Sequence, residues 1–278
     1  MTATAPVISS VDLRRRLWTA PALSAIPGVV HGVTGRIPGV ETGEGNIGFG
    51  APRDRDLAWS WRQRWSTALG VDPEKLVAAR QVHGTAVLRV VSSDAGRGAR
   101  PGSEPVGTAD ALLTSEPDLP LLSLHADCQP IFFVDPVLRV VGVAHAGWRG
   151  AVADVVGATV HAMAEGYGSD PATLRVVLGP AIGGDRYEVG PEVLSAWRET
   201  AGDGADIAIW NGEGKSRFDI SAANGSLLVR AGVRPENISV ADDCTVRDGD
   251  RWFSHRGQGA GTGRFGAIIA LTADRSPS

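Results

Sequence analysis

The chain has 278 residues, of which 43% are hydrophobic and 21% charged, a balance ordinary for a globular protein with a sizeable core. Its net charge of −4, with no basic stripe, excludes nucleic acid as the expected partner, and no stretch approaches the roughly 20 apolar residues of a membrane span. The N-terminal stretch lacks a signal-peptide apolar run, and the two cysteines, Cys128 and Cys244, do not sit in a stapled framework, so a cytoplasmic protein with reduced thiols is expected.

Residues 1–10 and 273–278 are small and polar and are expected to fray. Arg14, Arg15 and Arg16 fit a solvated turn of an N-terminal helix. A strand over 28–33 leads into a glycine-rich loop over 34–50 that holds Arg36 and Asn46. The stretch 57–69 carries three tryptophans and stops at Gly70, which predicts an amphipathic helix with a C-cap glycine. A strand over 75–81 runs out at His83-Gly84, and 86–91 is expected to be its hairpin partner. Residues 92–108 hold Ser, Gly, Pro and charge without apolar periodicity, a loop long enough to suggest function or mobility. Strand character returns over 109–114.

The stretch 124–150 organises the chain. Its apolar runs, 131–134 and 138–144, are rich in β-branched residues and read as buried strands joined by a turn at Asp135-Pro136. Cys128 precedes the first run and His145 follows the second, so an antiparallel hairpin puts both at one end of the sheet. Neighbouring strands lie about 4.8 Å apart, close enough for a thiolate and an imidazole to share a small ion. The third ligand must come from the remaining histidines, His31, His83, His125, His161 and His255. His83 has the better setting, at a strand end beside Gly84, whereas His125 is ambiguous because its face depends on where the strand begins. On a strand His125 would point away from Cys128, three residues later, and is expected to sit behind the metal or beside the substrate. Two imidazoles and a thiolate leave a fourth position open, the pattern of catalytic zinc.

Behind His145, the turn at Gly147 and Gly150 opens a helix expected to run to about Glu165, with Val152, Val155, Val156, Val160 and Met163 at helical spacing. Its start, with Arg149, is a candidate anion seat; a plain tight turn is the other reading. Further on come a buried strand over 174–178, a helix opened by Pro191, and a helix from the cap Asp219 to Ala231. Strands over 238–240 and 265–271 flank a polar loop in which Arg256 is a second candidate for an anionic group. Strands and helices alternate irregularly among hairpins, so the class is α+β with a mixed sheet.

Several motifs then carry a resemblance: Gln81-Val-His-Gly84, Ala109-Asp-Ala-Leu-Leu-Thr114, Ala126-Asp-Cys128, His145-Ala-Gly-Trp-Arg-Gly150, Gly179-Pro-Ala-Ile-Gly183, Tyr187-Glu-Val-Gly190, Asp219-Ile220 with Asn224, and Cys244-Thr245 before Phe253-Ser254. The chain resembles, from about His31 to Leu271, the laccase-domain or multicopper polyphenol oxidase-like family, whose members act as purine nucleoside phosphorylases. The resemblance implies a single-domain α/β/β/α sandwich with an ordered core of about 28–272 and the site at the junction of its sheets. It implies a zinc site at His83, Cys128 and His145, and a substrate-side motif at Thr34–Arg36 with Asn46-Ile47-Gly48. The chain departs from the family at His125 (usually Thr), Trp61 (usually Asn), Pro38 before Gly39, and His255 and Gly257 (usually Tyr and Arg).

A copper oxidase is disfavoured, since a multicopper cluster needs many convergent imidazoles and this chain has six histidines spread along it. Zinc does no redox chemistry but polarises oxygens and activates water, which would also suit deamination at adenine C6. Phosphorolysis of a purine nucleoside needs inorganic phosphate held beneath the ribose, for which Arg36, Arg149 and Arg256 are the candidates. The competing expectations are a hydrolase with Cys128 as nucleophile and His145 as base, and a non-catalytic module built on a structural zinc.

Overall fold

The computed structural model describes residues 8–40, 43–210 and 215–273, so most of the two stretches expected to fray lies outside the described residues. Twelve strands are seen among them: β1 (Val29–Val33), β2 (Val77–Ala78), β3 (Val87–Arg89), β4 (Ala111–Thr114), β5 (Leu121–His125), β6 (Gln129–Asp135), β7 (Val140–Ala146), β8 (Arg175–Leu178), β9 (Ile209–Trp210), β10 (Arg217–Phe218), β11 (Ile238–Val240) and β12 (Phe265–Leu271). The α-helices are α1 (Ser10–Arg16), α2 (Pro21–Ser24), α3 (Arg55–Leu69), α4 (Trp148–Val152), α5 (Val155–Tyr167), α6 (Pro191–Ala201), α7 (Ile220–Arg230) and α8 (His255–Gln258).

The strands form a four-stranded sheet, ordered β1-β12-β5-β2, and a six-stranded sheet, ordered β11-β8-β6-β7-β4-β3; β9 and β10 pair by themselves. Both large sheets are mixed: β2 runs parallel to β5, β3 to β4 and β11 to β8, while the other pairs are antiparallel. Side-chain alternation then builds the layers. Phe132, Val134, Val141 and Val143 of the larger sheet meet Leu121, Phe265, Ala267 and Ile269 of the smaller one in a shared core. Ile131, Phe133 and Ala144, on the opposite face, pack on α5, α6 and α7, while Leu122 and Ile268 pack on α1 and α3. The result is a single-domain α/β/β/α sandwich. Because both faces of β6, β7 and β12 are covered, every residue in those strands is buried, which is why they read as continuous apolar runs.

Four local expectations need correction. The expected hairpin of 75–81 with 86–91 does not form: β2 pairs with β5 and β3 with β4, in different sheets. The His83-Gly84 segment is a crossing between sheets, and its peptide N–H groups go to the side chain of Asp110 rather than to a partner strand. The helix expected from Gly147 to Glu165 is two helices, because Asp154 adopts a left-handed conformation (φ +64°) and its carboxylate caps the N–H of Gly157 to start α5. In the central hairpin the strands are longer than the apolar runs, so His145 is the penultimate residue of β7, paired opposite Pro130. Finally, helix α3 begins two residues earlier than the apolar pattern, at Arg55, capped by Asp54, and it ends as expected at Gly70 (φ +87°).

The long 92–108 segment is anchored by one buried cation. Arg62 of α3, 3% exposed, donates to the carbonyls of Ile47, Gly98 and Ala99 at 2.7–2.8 Å and stacks over the Phe49 ring at 3.8 Å. Burial pulls its guanidinium down to about 9, still charged at neutral pH.

His31 of β1 is also buried, at 3% exposure, and its Nε2 accepts the N–H of Ala20 at 2.8 Å, which requires a neutral ring. Burial lowers its pKa from 6.5 to about 4, so the folded state binds fewer protons than the unfolded chain in this window. The stability gained from neutral His31 is complete above pH 6.5 and is lost as pH falls toward 4, a total of about 3 kcal/mol. Urea unfolding between pH 7.5 and 4.5 should therefore show a shallower acid loss in His31→Gln, whose amide oxygen can accept the same N–H without titrating. Parallel pH profiles for the two proteins would refute this role for His31.

Candidate metal centre

Three side chains meet where the two sheets join, two from segments that cross between the sheets and the third, His145, from the end of β7. The His83 segment leaves β2 for β3 with His83 in the left-handed region (φ +61°), a conformation that histidine tolerates better than most residues. Asp110, 2% exposed and immediately before β4, holds that segment: its carboxylate accepts the N–H groups of Val82, His83 and Gly84 at 2.7–3.2 Å. The same carboxylate accepts from His145 Nδ1 at 2.9 Å, so His145 turns Nε2 toward the centre. Burial pushes Asp110 up, but the bonds from His145, Gly84 and Val82 more than offset this and hold it below the usual carboxylate range.

Cys128 comes from the crossing between β5 and β6, just after Asp127, which is itself left-handed (φ +85°). Burial raises the Cys128 thiol, yet the charge of His145 and hydrogen bonds from His145 and His83 bring it down to about 6. His145 is the reciprocal case: burial lowers it, while Cys128 and Asp110 raise it to about 9. The donor atoms of His83, Cys128 and His145 all lie within 4.8 Å of one another. Gly147 is what lets them close, since a Cβ there would fall 2.8 Å from Cys128 Sγ and 3.1 Å from the His83 ring. A thiolate and two imidazoles at these separations fit a single soft or borderline divalent ion with a position left open.

His125 stands behind this group. Its two ring nitrogens are engaged by Ser123 Oγ at 2.7 Å and the Cys128 carbonyl at 3.1 Å, and the ring packs on His145 and stacks on Phe265. Burial, with His145 nearby, keeps it well below its ordinary pKa and therefore neutral. It is not among the converging donors, although the face-alternation argument does not apply, because the chain turns at Asp127 and Cys128 opens onto a strand of the other sheet. Asp127 completes the frame: Oδ1 accepts the hydroxyls of Thr245 and Ser254 at 2.6 Å, and Oδ2 accepts the N–H of Arg256 at 2.7 Å.

The trio opens onto a cleft of about 700 Å³ walled by the aromatic rings of Phe49, Trp148 and Tyr187 and by four arginines, Arg53, Arg149, Arg256 and Arg264. Of the residues expected at a substrate, Arg149 and Arg256 are in this wall. Arg149 stacks on Trp148, and Arg256 donates to the Glu188 carbonyl at 2.9 Å and lies over Tyr187. Arg36 does not line the cleft, because Glu44 holds its Nε at 2.7 Å and the Gly249 carbonyl holds Nη1 at 2.8 Å. Asn46 is buried and builds the wall instead of lining it, its Oδ1 accepting the N–H groups of Gly48 and Arg264 at 3.0 and 2.8 Å. The Gly147 turn serves the trio, and the helix it opens, α4, is five residues long, so the dipole behind this candidate anion seat is small. Arg53, Arg264 and Tyr187 were not singled out as ligands from sequence. Tyr187 and Arg264 sit in segments whose glycines mark loops at strand ends, whereas Arg53 is one charge among several in 53–56 with no motif around it.

The fold and the site define a two-sheet sandwich protein with a His₂Cys centre at the floor of an open, arginine-lined cleft. The chain belongs to the family described as multi-copper polyphenol oxidoreductase laccase, whose model matches residues 30–272. It is 33% identical over 259 residues, 91% of this chain and 94% of the relative, to purine nucleoside phosphorylase YlmD of Geobacillus stearothermophilus. The crystal structure of that YlmD matches with a TM-score of 0.86 at 32% identity, covering 91% of this chain and 94% of that one. A protein named adenosine deaminase RL5, from an unknown prokaryotic organism, is 35% identical over 203 residues, 70% of this chain and 75% of the relative.

The geometry divides the surrounding residues by their effect on a bound metal. Asp110→Asn should weaken divalent-metal affinity by about 10–100-fold, because it disturbs both the His145 tautomer and the His83 segment. Cys128→Ala should lose most of the metal, and His125→Thr should keep it. Elemental analysis and chelator competition would measure all three, and full occupancy in Cys128→Ala would rule out this centre.

Proposed function

We propose that the chain is a purine nucleoside phosphorylase that cleaves adenosine, inosine, guanosine or methylthioadenosine with inorganic phosphate at a mononuclear zinc site, with hydrolytic deamination of adenosine as a side reaction. The observation that carries this reading is the convergence of His83, Cys128 and His145 within 4.8 Å on a cleft walled by aromatic rings and arginines. The names of the relatives, phosphorylase and deaminase, support the same substrate class. Zinc held by those three residues supplies Lewis acidity without redox chemistry, and the donor set suits it better than a multinuclear copper cluster. Among the described residues the other histidines are not in the converging group: His31 and His125 use ring nitrogens in internal hydrogen bonds, His161 pairs with Glu165 on α5, and His255 lines the cleft wall.

The chain's own residues do the rest. Phe49, Trp148 and Tyr187 offer ring faces to a purine. Burial pushes the Tyr187 phenol up to about 12, so at neutral pH it is an O–H donor. Asp127, by gripping Ser254 and the N–H of Arg256, fixes the loop that forms one wall. The arginines neutralise an oxyanion in a recess where such contacts are stronger than in open water.

One observation favours a second reading. Asp110, His145 and Cys128 line up as orienting acid, base and nucleophile, with Asp110 on Nδ1 and the thiolate on the far side of the ring. What favours the metal is His83, a second imidazole hydrogen-bonded to the same sulfur, for which a nucleophile–base pair has no use.

The two readings separate in solution. Base release from a purine nucleoside should saturate with inorganic phosphate and yield ribose-1-phosphate. Removing metal with a chelator should suppress turnover and adding zinc back should restore it. Release of free ribose at a rate independent of phosphate and of chelation would reject the phosphorylase in favour of the cysteine hydrolase.

A further inference from the structure

Two of the four cleft arginines share one backbone acceptor. Arg53 donates Nε (2.8 Å) and Nη2 to the carbonyl of Thr262, and Nη1 to the carbonyl of Gly50 at 2.8 Å. Arg264 donates Nη1 to the same Thr262 carbonyl at 3.1 Å and to that of Gly263 at 2.8 Å. One carbonyl oxygen thus draws two guanidinium groups together. Among the described residues, neither is paired with a carboxylate, whereas Arg36, Arg230, Arg247 and Arg251 each have an acidic partner. The Nε and Nη2 donors of Arg264 make no hydrogen bond among the described residues, and both side chains line the cleft.

The arrangement is built by specific residues. Asn46 Oδ1 fixes the backbone of Arg264 and of Gly48 together. A Cβ on Gly48 would fall 2.8 Å from Arg264 Cγ, so the glycine is what lets the Arg264 stem run along the wall. Partial burial lowers both guanidinium groups, and Arg264 lowers Arg53 further, as expected for adjacent like charges. Cys128 and Asp127 pull Arg264 the other way, which puts its charge in electrostatic reach of the metal centre. Like charges held side by side at a cleft wall repel, and an anion between them turns that repulsion into attraction. The open Nε–Nη2 edge of Arg264 matches two oxygens of a tetrahedral oxyanion, while Arg53, whose Nε, Nη1 and Nη2 already donate to carbonyls, adds its charge and the second hydrogens of its Nη groups. Arg149 stacks singly on Trp148 and Arg256 is held by the Glu188 carbonyl over Tyr187, so neither is brought against a second guanidinium by a shared acceptor as Arg53 and Arg264 are.

We infer that Arg53 and Arg264, clamped on the Thr262 carbonyl and indexed by Asn46 and Gly48, form the oxyanion seat of the cleft and take inorganic phosphate. The inference rests on the phosphorylase reading for its choice of anion, since free phosphate and the 5′-phosphate of a nucleotide share the recognised chemistry.

The test titrates the metal-loaded protein with inorganic phosphate alone, and separately with adenosine 5′-monophosphate, by calorimetry at constant ionic strength. Arg53→Gln and Arg264→Gln should each weaken phosphate binding roughly tenfold or more, with a matching rise in the KM for phosphate. The KM for the nucleoside should change by less than about threefold, since its contacts lie elsewhere. Arg264→Lys, which keeps the charge and loses the fork, should fall between wild type and Arg264→Gln, and it decides the matter if a Gln variant does not fold. Wild-type phosphate affinity in the variants, with turnover still saturating in phosphate, would move the seat elsewhere and leave the phosphorylase standing. A loss confined to the nucleotide titration would overturn free phosphate as the ligand. Turnover by the wild type with no phosphate dependence would instead reject the phosphorylase reading itself.

Discussion

One buried carboxylate sets the geometry on which the site depends. Asp110 accepts three successive peptide N–H groups from the segment that carries His83 and a fourth bond from the ring of His145. The segment arrives from one sheet and departs into the other, so no strand ladder is available to satisfy its backbone. The carboxylate replaces that ladder. In doing so it stabilises a left-handed His83, a backbone state that costs on the order of 1–2 kcal/mol for a residue with a Cβ. Asp127 does the corresponding work at the other crossing: it is left-handed beside Cys128, and its carboxylate binds Thr245, Ser254 and the N–H of Arg256. Each metal-side crossing between the sheets is thus secured by one aspartate, and the side chain next to that crossing points at the centre.

The parts of this design that sequence made legible are local ones. Runs of buried β-branched residues mark β6 and β7, and strand length alone puts Cys128 and His145 at one end of the hairpin. The C-terminal end of α3 and the start of α7 follow from Gly70 and Asp219. What stayed illegible is non-local. β2 looks like the first half of a hairpin because 86–91 follows it closely, yet its partner β5 lies more than forty residues away, and β1 pairs with β12 near the far end of the chain. Nothing in a short window distinguishes a turn from a crossing when both are marked by the same glycine. The break between α4 and α5 was hidden for a related reason, since the apolar spacing continues across Asp154 while the backbone does not.

The departures from the family pattern fall unevenly on this frame. Pro38 lies in the Arg36 loop, which the pairing with Glu44 keeps out of the cleft, and Trp61 is fully buried in the packing of α3. Gly257 closes the turn of α8 by donating to Ser254 Oγ, the hydroxyl that also binds Asp127. His255 lines the cleft, and His125 fills the space behind His145. His125 therefore changes what the His145 ring leans on, and His255 changes what a substrate meets, while Pro38 and Trp61 lie in the α3 side of the sandwich.

The Gly147 turn shows how one motif can answer two different geometric demands. The segment His145-Ala-Gly-Trp-Arg-Gly150 has the strand–glycine–helix pattern of a phosphate cradle, but Gly147 is required there by the approach of Cys128 and His83. The helix that follows has five residues, and a dipole summed over so few peptide units contributes little. The glycine is spent on closing the metal centre, and the positive charge at the cleft comes from side chains instead. Two of those, Arg53 and Arg264, lie about two hundred residues apart and meet only because they share the carbonyl of Thr262. A main-chain cradle is written in adjacent residues, whereas a guanidinium pair is written in the way the first and last thirds of the chain fold onto each other. The same closure of β1 on β12 that completes the smaller sheet also brings the two loops together. The cleft's charge is therefore a consequence of topology, and its chemistry depends on pairings that no single motif contains.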